Sequence, residues 1–480
     1  MHVKTLAPLA VAGAVIVGCA TNPATGKREF SLMSEAQEIQ LGQQMDGEIK
    51  REMGVYNDAE LQRYVNSVGQ QLARTSERPN LPWHFTVVDV PAVNAFALPG
   101  GYIYLTRGIM PFLGDEAQLA GVLGHEIGHV TARHSAQQYT KATSAGIGLT
   151  LLNIFVPESR PFGGLAETGL GLLFLRYGRD AERQADGLGV QYSALSGWDP
   201  RGMAGMLSAL GRLDEANGMR RGVPNWLSTH PTPADRLQEV QATITQAAAK
   251  VPGKPIVDEE EYLQRIDGLL YGDNPSEGIV RGSRFLHPEL RLALTFPSGW
   301  DIQNTKTQVI AKPADREHYL LLELVPDARG SIEDIAVRTM SSAGFRQLNG
   351  ERAALNGADA YISTWQGNLQ GLGTVGVRAA HVTDGRNVYL IAGIAPANQF
   401  RSAEPALMSA VRSFRRLSTQ EAASIRPNRV DLYVVRNETW EALAERSGGA
   451  VKPSTLAIMN GYDPAERPRS GDRIKIVVEG

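Results

Sequence analysis

Apolar residues recur at helical spacing through the first half of this chain and at alternating, strand-like spacing through much of the second. Gln118 to His134 is apolar on nearly every side, holds no proline and reads as one continuous buried helix. Arg176 to Tyr192 also has helical texture but carries more charge, with Glu182 and Asp186 one turn apart. Val93 to Thr106 has an alternating run after the Gly100-Gly101 turn, which suits a strand at the edge of a small sheet. Helical patterning fades into a Gln/Ala-rich stretch after Leu237, and Val251-Pro252-Gly253-Lys254-Pro255 marks a boundary. A short helix starting at Asp258-Glu259-Glu260-Glu261 then leads toward Tyr271. From 277 to 416 the period shortens, with strands at Arg291–Phe296, Tyr319–Leu324 and Asn387–Ala392 and helices near 331–344 and 399–415. The last segment runs strand, helix, helix, strand through Asp431–Val435, Thr439–Gly448, Leu456–Gly461 and Arg469–Ile476. The fold class expected is therefore multi-domain: a mainly α-helical domain with a small edge-exposed β-sheet, then an α+β domain, then a small βααβ module.

Two further apolar runs, Ala145–Val156 and Thr168–Leu175, fall well short of the roughly 20 residues needed to cross a bilayer. Burial over the functional site is the expectation for both, as core packing or as a plug that shifts. A length of 480 residues agrees with about three domains. The net charge of −3 leaves no nucleic-acid footprint. A single cysteine excludes an internal disulfide, and its position has its own explanation. Lys4, then a small-residue apolar run ending Val15-Ile16-Val17-Gly18-Cys19, resembles a bacterial lipoprotein signal. That resemblance makes 1–18 a signal peptide, Cys19 the lipidated residue and 19–32 a tether. Ala20 after the cysteine resembles lipoproteins sorted to the outer membrane.

The chemistry concentrates in His125-Glu126-Ile127-Gly128-His129. At about 100° per residue, two histidines four apart return to one helix face, so both imidazoles reach one metal. Zinc lowers the pKa of bound water toward roughly 7, and a neighbouring glutamate can take the proton as hydroxide attacks a carbonyl. A catalytic zinc normally takes a third protein ligand. Glu182 is a candidate, with Asp186 placed to accept a ring N–H from a ligand histidine, although a solvated charged helix face explains the same spacing.

Together with Ser228-Thr229-His230-Pro231-Thr232-Pro233-Ala234-Asp235-Arg236-Leu237, these two helices resemble the gluzincin zinc metallopeptidases of the CAAX prenyl protease type. Among them the chain is most similar to the bacterial periplasmic lipoproteins of the BepA and LoiP kind. The resemblance covers roughly residues 25 to 245. It implies one Zn2+ per chain held by His125, His129 and Glu182, with Glu126 as general base and Asp186 behind the ligands. His230 and Arg236 match positions that stabilise the oxyanion, and in some periplasmic members the matching histidine also binds zinc and holds the enzyme latent. In this arrangement the strand edge at Asn94, Ala95, Gly101 and Tyr102 takes extended substrate backbone by strand addition, where composition alone allows an ordinary hairpin. The C-terminal βααβ segment resembles a LysM module, with Asn437-Glu438-Thr439 standing where Gly-Asp-Thr is usual, which weakens the case for glycan affinity more than for the fold.

These readings divide the chain into a metallopeptidase domain at 33–250, a linker helix at 251–276, an α+β domain at 277–416 and the LysM-like module at 425–480. The function expected is a zinc endopeptidase on the periplasmic face of the bacterial outer membrane, acting on misfolded or unassembled envelope polypeptides. Peptidoglycan is a candidate partner through the C-terminal module. The alternative is an envelope chaperone or scaffold with a latent zinc site and the same glycan-holding module.

Overall fold

The computed structural model describes residues 19–144, 177–217, 226–230, 234–314, 317–369 and 371–479. The signal-like residues 1–18 and both apolar runs, 145–156 and 168–175, lie outside them. The described chain opens with a hairpin of β1 (Cys19–Thr21) and β2 (Arg28–Phe30), so the expected tether is folded back on itself. Asn22 in its turn is buried and donates from Nδ2 to Ala132 O at 3.2 Å.

Helix α1 (Glu35–Met53) starts from a capping box at Ser34, and α2 (Ala59–Ala73) from Asp58, whose side chain accepts from Leu61 N. Strands β3 (His84–Val88), β4 (Ala95–Leu98) and β5 (Tyr102–Thr106) form one sheet in the order β3-β5-β4. This corrects the edge-strand reading. Tyr102 lies on the central strand, parallel to β3 and antiparallel to β4, and all five β5 residues are buried. The partner β3 comes from well before the alternating run, and such non-local pairing leaves no trace in a local pattern. The free edge is β4, with Asn94 just ahead of it, and Gly101 sits in the turn. Glycine is required beside it: Gly100 has φ +82°, and a Cβ there would lie 2.6 Å from Ile39 Cα.

The rest of this half is helical: α3 (Glu116–Thr131), α4 (His134–Ser144), α5 (Arg179–Leu195), α6 (Arg201–Asn217), α7 (Trp226–Thr229) and α8 (Ala234–Ala247). The one long helix expected over 118–134 is two helices. Arg133 breaks it with φ +60°, a conformation that is uncommon for a side chain of this size. Tertiary bonds hold it there, Arg133 Nε to Glu38 Oε1 at 2.5 Å and Nη2 to Met33 O at 2.6 Å.

A β-rich region follows. Helix α9 (Glu259–Ile266) leads to the short strand β6 (Leu270–Tyr271). Strands β7 (Ile279–Arg281), β8 (Arg284–His287) and β9 (Leu292–Thr295) make a small sheet. A second sheet collects β10 (Asp301–Asn304), β11 (Gln308–Lys312), β12 (Tyr319–Leu324), β13 (Arg346–Leu355), β14 (Ala358–Leu369), β15 (Gly373–Thr383) and β16 (Val388–Pro396). Its order is β10-β11-β12-β16-β15-β14-β13, antiparallel throughout, with α10 (Ile332–Ser342) and α11 (Phe400–Arg412) packed against it. The small sheet is completed by β17 (Arg415–Arg416), and α12 (Thr419–Ser424) follows.

The chain ends with β18 (Asn428–Val434), α13 (Trp440–Glu445), α14 (Pro453–Met459) and β19 (Arg473–Glu479). These strands pair with each other and, through Asn428 and Arg429, with β6. The terminal segment packs on the helical half: Trp440, Leu456 and Ile474 belong to the same buried cluster as Leu123 and Met206. Lys475 Nζ donates to Leu113 O at 2.6 Å, two residues before the Asp115 cap of α3. Burial lowers its ammonium to a pKa of about 7, against the opposing pull of Asp115 and Glu259. No helix among the described residues is long and apolar enough to cross a membrane.

Candidate active site

Glycines decide how the site assembles. A Cβ at Gly124 would lie 3.0 Å from Gly189 Cα, and one at Gly128 would lie 3.0 Å from Ala185 Cα, so α3 and α5 cross nearly backbone to backbone. A methyl at either position overpacks the crossing, a defect that typically costs about 1–3 kcal/mol. The close crossing sets Glu182 and Asp186 of α5 beside His125 and His129 of α3. All four are buried.

His129 Nε2 is 3.0 Å from His125 Nε2, which is 3.2 Å from His230 Nδ1. Glu182 Oε1 lies 3.1 Å from His230 Nδ1 and 3.5 Å from His129 Nε2, and Glu182 Oε2 lies 3.6 Å from His125 Nε2. A zinc tetrahedron with bonds of about 2.0–2.1 Å has edges of roughly 3.3–3.4 Å, so these separations suit the corners around one ion. The donors are imidazole nitrogens and a carboxylate, the set zinc prefers. His125, His129, Glu182 and His230 are the His, Cys, Asp and Glu residues that could hold a metal among the described residues.

Around the cluster, His125 Nδ1 meets Asp186 Oδ1 at 2.9 Å. Arg236 donates to Asp186 from Nε and Nη2, both at 2.8 Å, and its Nη1 is 2.9 Å from Glu182 Oε2. Burial would raise the Asp186 carboxyl, but the His125 and Arg236 hydrogen bonds outweigh it and hold the pKa at about 2. Glu182 is also lowered, burial being overcome by His230, His125 and Arg236. Glu126 differs, because burial lifts its carboxyl above the ordinary range against the pull of His230 and His125. Both its oxygens are buried without a hydrogen-bond partner among the described residues, and Oε1 is 3.6 Å from His230 Nε2. Burial drives the His129 ring well below its usual pKa, whereas Glu182 and Glu126 outweigh burial and raise His230.

His125, Glu126, His129, Glu182, Asp186, His230 and Arg236 therefore come together, from segments more than a hundred residues apart. Arg236 does not sit as a donor to a reacting carbonyl would. Here it pairs with Asp186 and Glu182. Asn94 lies close behind His230: Thr229 Oγ1 is 3.5 Å from Asn94 Oδ1, and Trp226 N donates to Val93 O at 2.8 Å. Ala95 to Leu98 of the edge strand are all buried. Tyr102 stacks on His84 instead, ring centroids 4.7 Å apart, and Cys19 lies in the β1 hairpin.

Sequence reasoning passed over three aromatic neighbours. Trp226 stacks on His230 at 4.2 Å, Tyr177 stacks on His129 at 3.9 Å, and His134 closes on the far side of His129. Only Trp226, four residues before His230 and thus one helical turn away, left a readable signal.

With this geometry in place, the similarities to known proteins are informative. Residues 59–244 match Peptidase family M48. The Beta-barrel assembly-enhancing protease of Escherichia coli is 33% identical over 235 residues, which are 47% of this chain and 47% of that one. Its counterpart in Yersinia pestis is 29% identical over 368 residues, 71% of this chain and 73% of that one. The Mitochondrial metalloendopeptidase OMA1 of Schizosaccharomyces pombe is 29% identical over 236 residues, 48% of this chain and 67% of that one. The chain spans about half the length of the first of these relatives.

Proposed function

We propose, for a chain whose residues 59–244 form a domain of peptidase family M48, that it is a zinc endopeptidase of the bacterial cell envelope acting on misfolded or unassembled envelope polypeptides. The observation that carries the reading is the set of four buried donor atoms at tetrahedral spacing, with Glu126 beside them and, among the described residues, no hydrogen bond to either of its oxygens. His125, His129 and Glu182 would hold zinc, which when bound supplies an acidified water and polarises the scissile carbonyl. Glu126 takes the proton of the attacking water and delivers it to the leaving amine. Asp186 fixes the ring of His125, and Arg236 fixes Asp186 and Glu182. An extended substrate adds at β4. That edge is buried, so productive binding requires what covers it to move. Purified protein should degrade unfolded casein, lose this activity with chelator and leave peptidoglycan sacculi intact. Chelator-resistant proteolysis, or release of glycan fragments, would reject the assignment.

His230 has two roles in this reading. In the resting state its Nδ1, 3.1 Å from Glu182 Oε1, would hold the metal beside the other three donors and so keep the site latent. Once displaced by substrate, it donates an N–H to the oxyanion. His230→Ala should lower the number of zinc-bound imidazoles from three to two, read by X-ray absorption of the resting enzyme. An unchanged count would end the latency reading and leave His230 to the transition state.

Envelope placement rests on the Cys19 lipid anchor, and the terminal βααβ segment is read as a LysM-like module that makes peptidoglycan a partner. The order β18-α13-α14-β19 supports the module, as does the antiparallel pairing of its two strands. Cys19→Ser should release the protein from the membrane fraction while casein turnover by the released protein is unchanged, because the lipid anchors and does no chemistry. Palmitate labelling that survives the substitution would refute the anchor.

A further inference from the structure

On the side of His129 away from the metal cluster, Nδ1 lies 2.8 Å from Nδ1 of His134, and His134 Nε2 lies 3.1 Å from Gln184 Oε1. Two imidazoles meeting through the same type of nitrogen must divide one proton between them, so the direction of that bond can be worked out from its ends. The Gln184 carbonyl can only accept. His134 Nε2 must therefore carry hydrogen, and a neutral His134 then has a bare Nδ1. The hydrogen between the rings belongs to His129 Nδ1, which leaves the lone pair of His129 on Nε2. That is the nitrogen turned toward His125 and Glu182.

We infer that Gln184 and His134 form a neutral relay that fixes His129 as the Nδ1–H tautomer and so presents its Nε2 lone pair to the metal. The inference rests on the zinc reading above and adds a pair of positioning residues to it. Its counterpart on the other histidine is ionic, since His125 Nδ1 faces the Asp186 carboxylate, itself paired with Arg236. The two rings are therefore tuned differently. A carboxylate raises the basicity of the ring that donates to it, while a neutral imidazole mainly orients its partner. Gln184 lies between Glu182 and Asp186 on α5, so one helix supplies a cluster carboxylate and supports for both rings. His134 reaches its place only because Arg133 turns the chain back after α3, and the hold of Glu38 and Met33 O on Arg133 extends the device to α1 and the segment before it. Tyr177 covers the face of His129, stacked at 22°, and confines the ring to the plane in which the relay works.

The test uses the full chain and zinc itself. His134→Phe keeps an aromatic ring and removes the acceptor, while His134→Asn returns a carbonyl oxygen near the position of Nδ1. His134→Phe should weaken zinc binding by about 10- to 100-fold, the usual cost of losing such a partner, and His134→Asn should recover most of it. Nitrogen-15 spectra of the metal-free protein should show hydrogen on His129 Nδ1 in the wild type and a mixture of tautomers in His134→Phe. Should that variant fail to fold, Gln184→Leu breaks the far end of the relay from a half-buried position, with the same tautomer mixing expected. Wild-type His129 carrying its hydrogen on Nε2 would overturn the relay, as would full zinc affinity in His134→Phe or a His134→Asn variant no better than it. A wild-type chain that takes up no zinc would sink the metal reading instead, while the metal-free spectra would still decide the relay.

Discussion

Glu126→Gln should retain one zinc per chain and lose proteolysis almost completely, with turnover of unfolded casein falling by about 10²- to 10⁴-fold, the usual contribution of a positioned general base. The geometry separates the two outcomes. None of the close approaches that define the metal cluster belongs to Glu126, and among the described residues neither of its oxygens holds a donor that the amide would lose. The substitution keeps shape and removes basicity, so the damage should appear in kcat while substrate affinity stays near the wild type. Elemental analysis beside steady-state kinetics reads both halves. Activity within tenfold of wild type would remove Glu126 from the mechanism, and loss of zinc would show that it supports the ligands.

What could be read from the sequence was what depends on local spacing. The i, i+4 pairs His125/His129 and Glu182/Asp186 announce two helices with their chemistry on one face, and both helices form within a few residues of expectation. The switch to alternating residues likewise announced a β-rich second region. What could not be read depends on distant partners. No glycine or proline marks the break at Ala132-Arg133, because the left-handed Arg133 is held by Glu38 and Met33, a hundred residues back along the chain. The central place of β5 is not legible because a strand's neighbours are not encoded in its own alternation. β6 is two residues long and pairs with Asn428 and Arg429, a contact that ties the stretch after α9 to the chain's last module. Within the site, Tyr177 leaves no signal because an aromatic in a loop has no period to expose it, whereas Trp226 stands one helical turn before His230.

The terminal module bears on the same site from outside. Its β19 lysine bonds to Leu113 O, just ahead of the cap that starts α3, and Arg212 of α6 donates from Nη1 to Tyr462 O at 3.1 Å. α6 also packs tightly on α3, since a Cβ at Gly202 would lie 2.2 Å from Ala117 O. The first turn of the His125/His129 helix is thus held by the last strand of the chain, in a core that both regions share.

Glu182→Ala should cost metal and activity together. This carboxylate sits fully buried within 3.1–3.6 Å of one nitrogen from each of His125, His129 and His230. It is also the only anionic donor in the four-residue set. Alanine leaves three neutral imidazoles around a divalent cation and removes the carboxylate oxygen 2.9 Å from Arg236 Nη1, so a cationic guanidinium then faces the metal position with less to offset it. Asp186→Asn is the contrasting variant. It leaves all four donors in place and gives His125 Nδ1 a weaker, neutral acceptor, so zinc affinity should drop by only about 10- to 100-fold and activity should return at higher zinc. Zinc titration of both variants decides the matter, with melting curves of the metal-free proteins to confirm that the buried Arg236 has not unfolded either one. Full zinc occupancy in Glu182→Ala would move the carboxylate ligand elsewhere, and equal losses in the two variants would erase the distinction between holding the metal and holding its ligand.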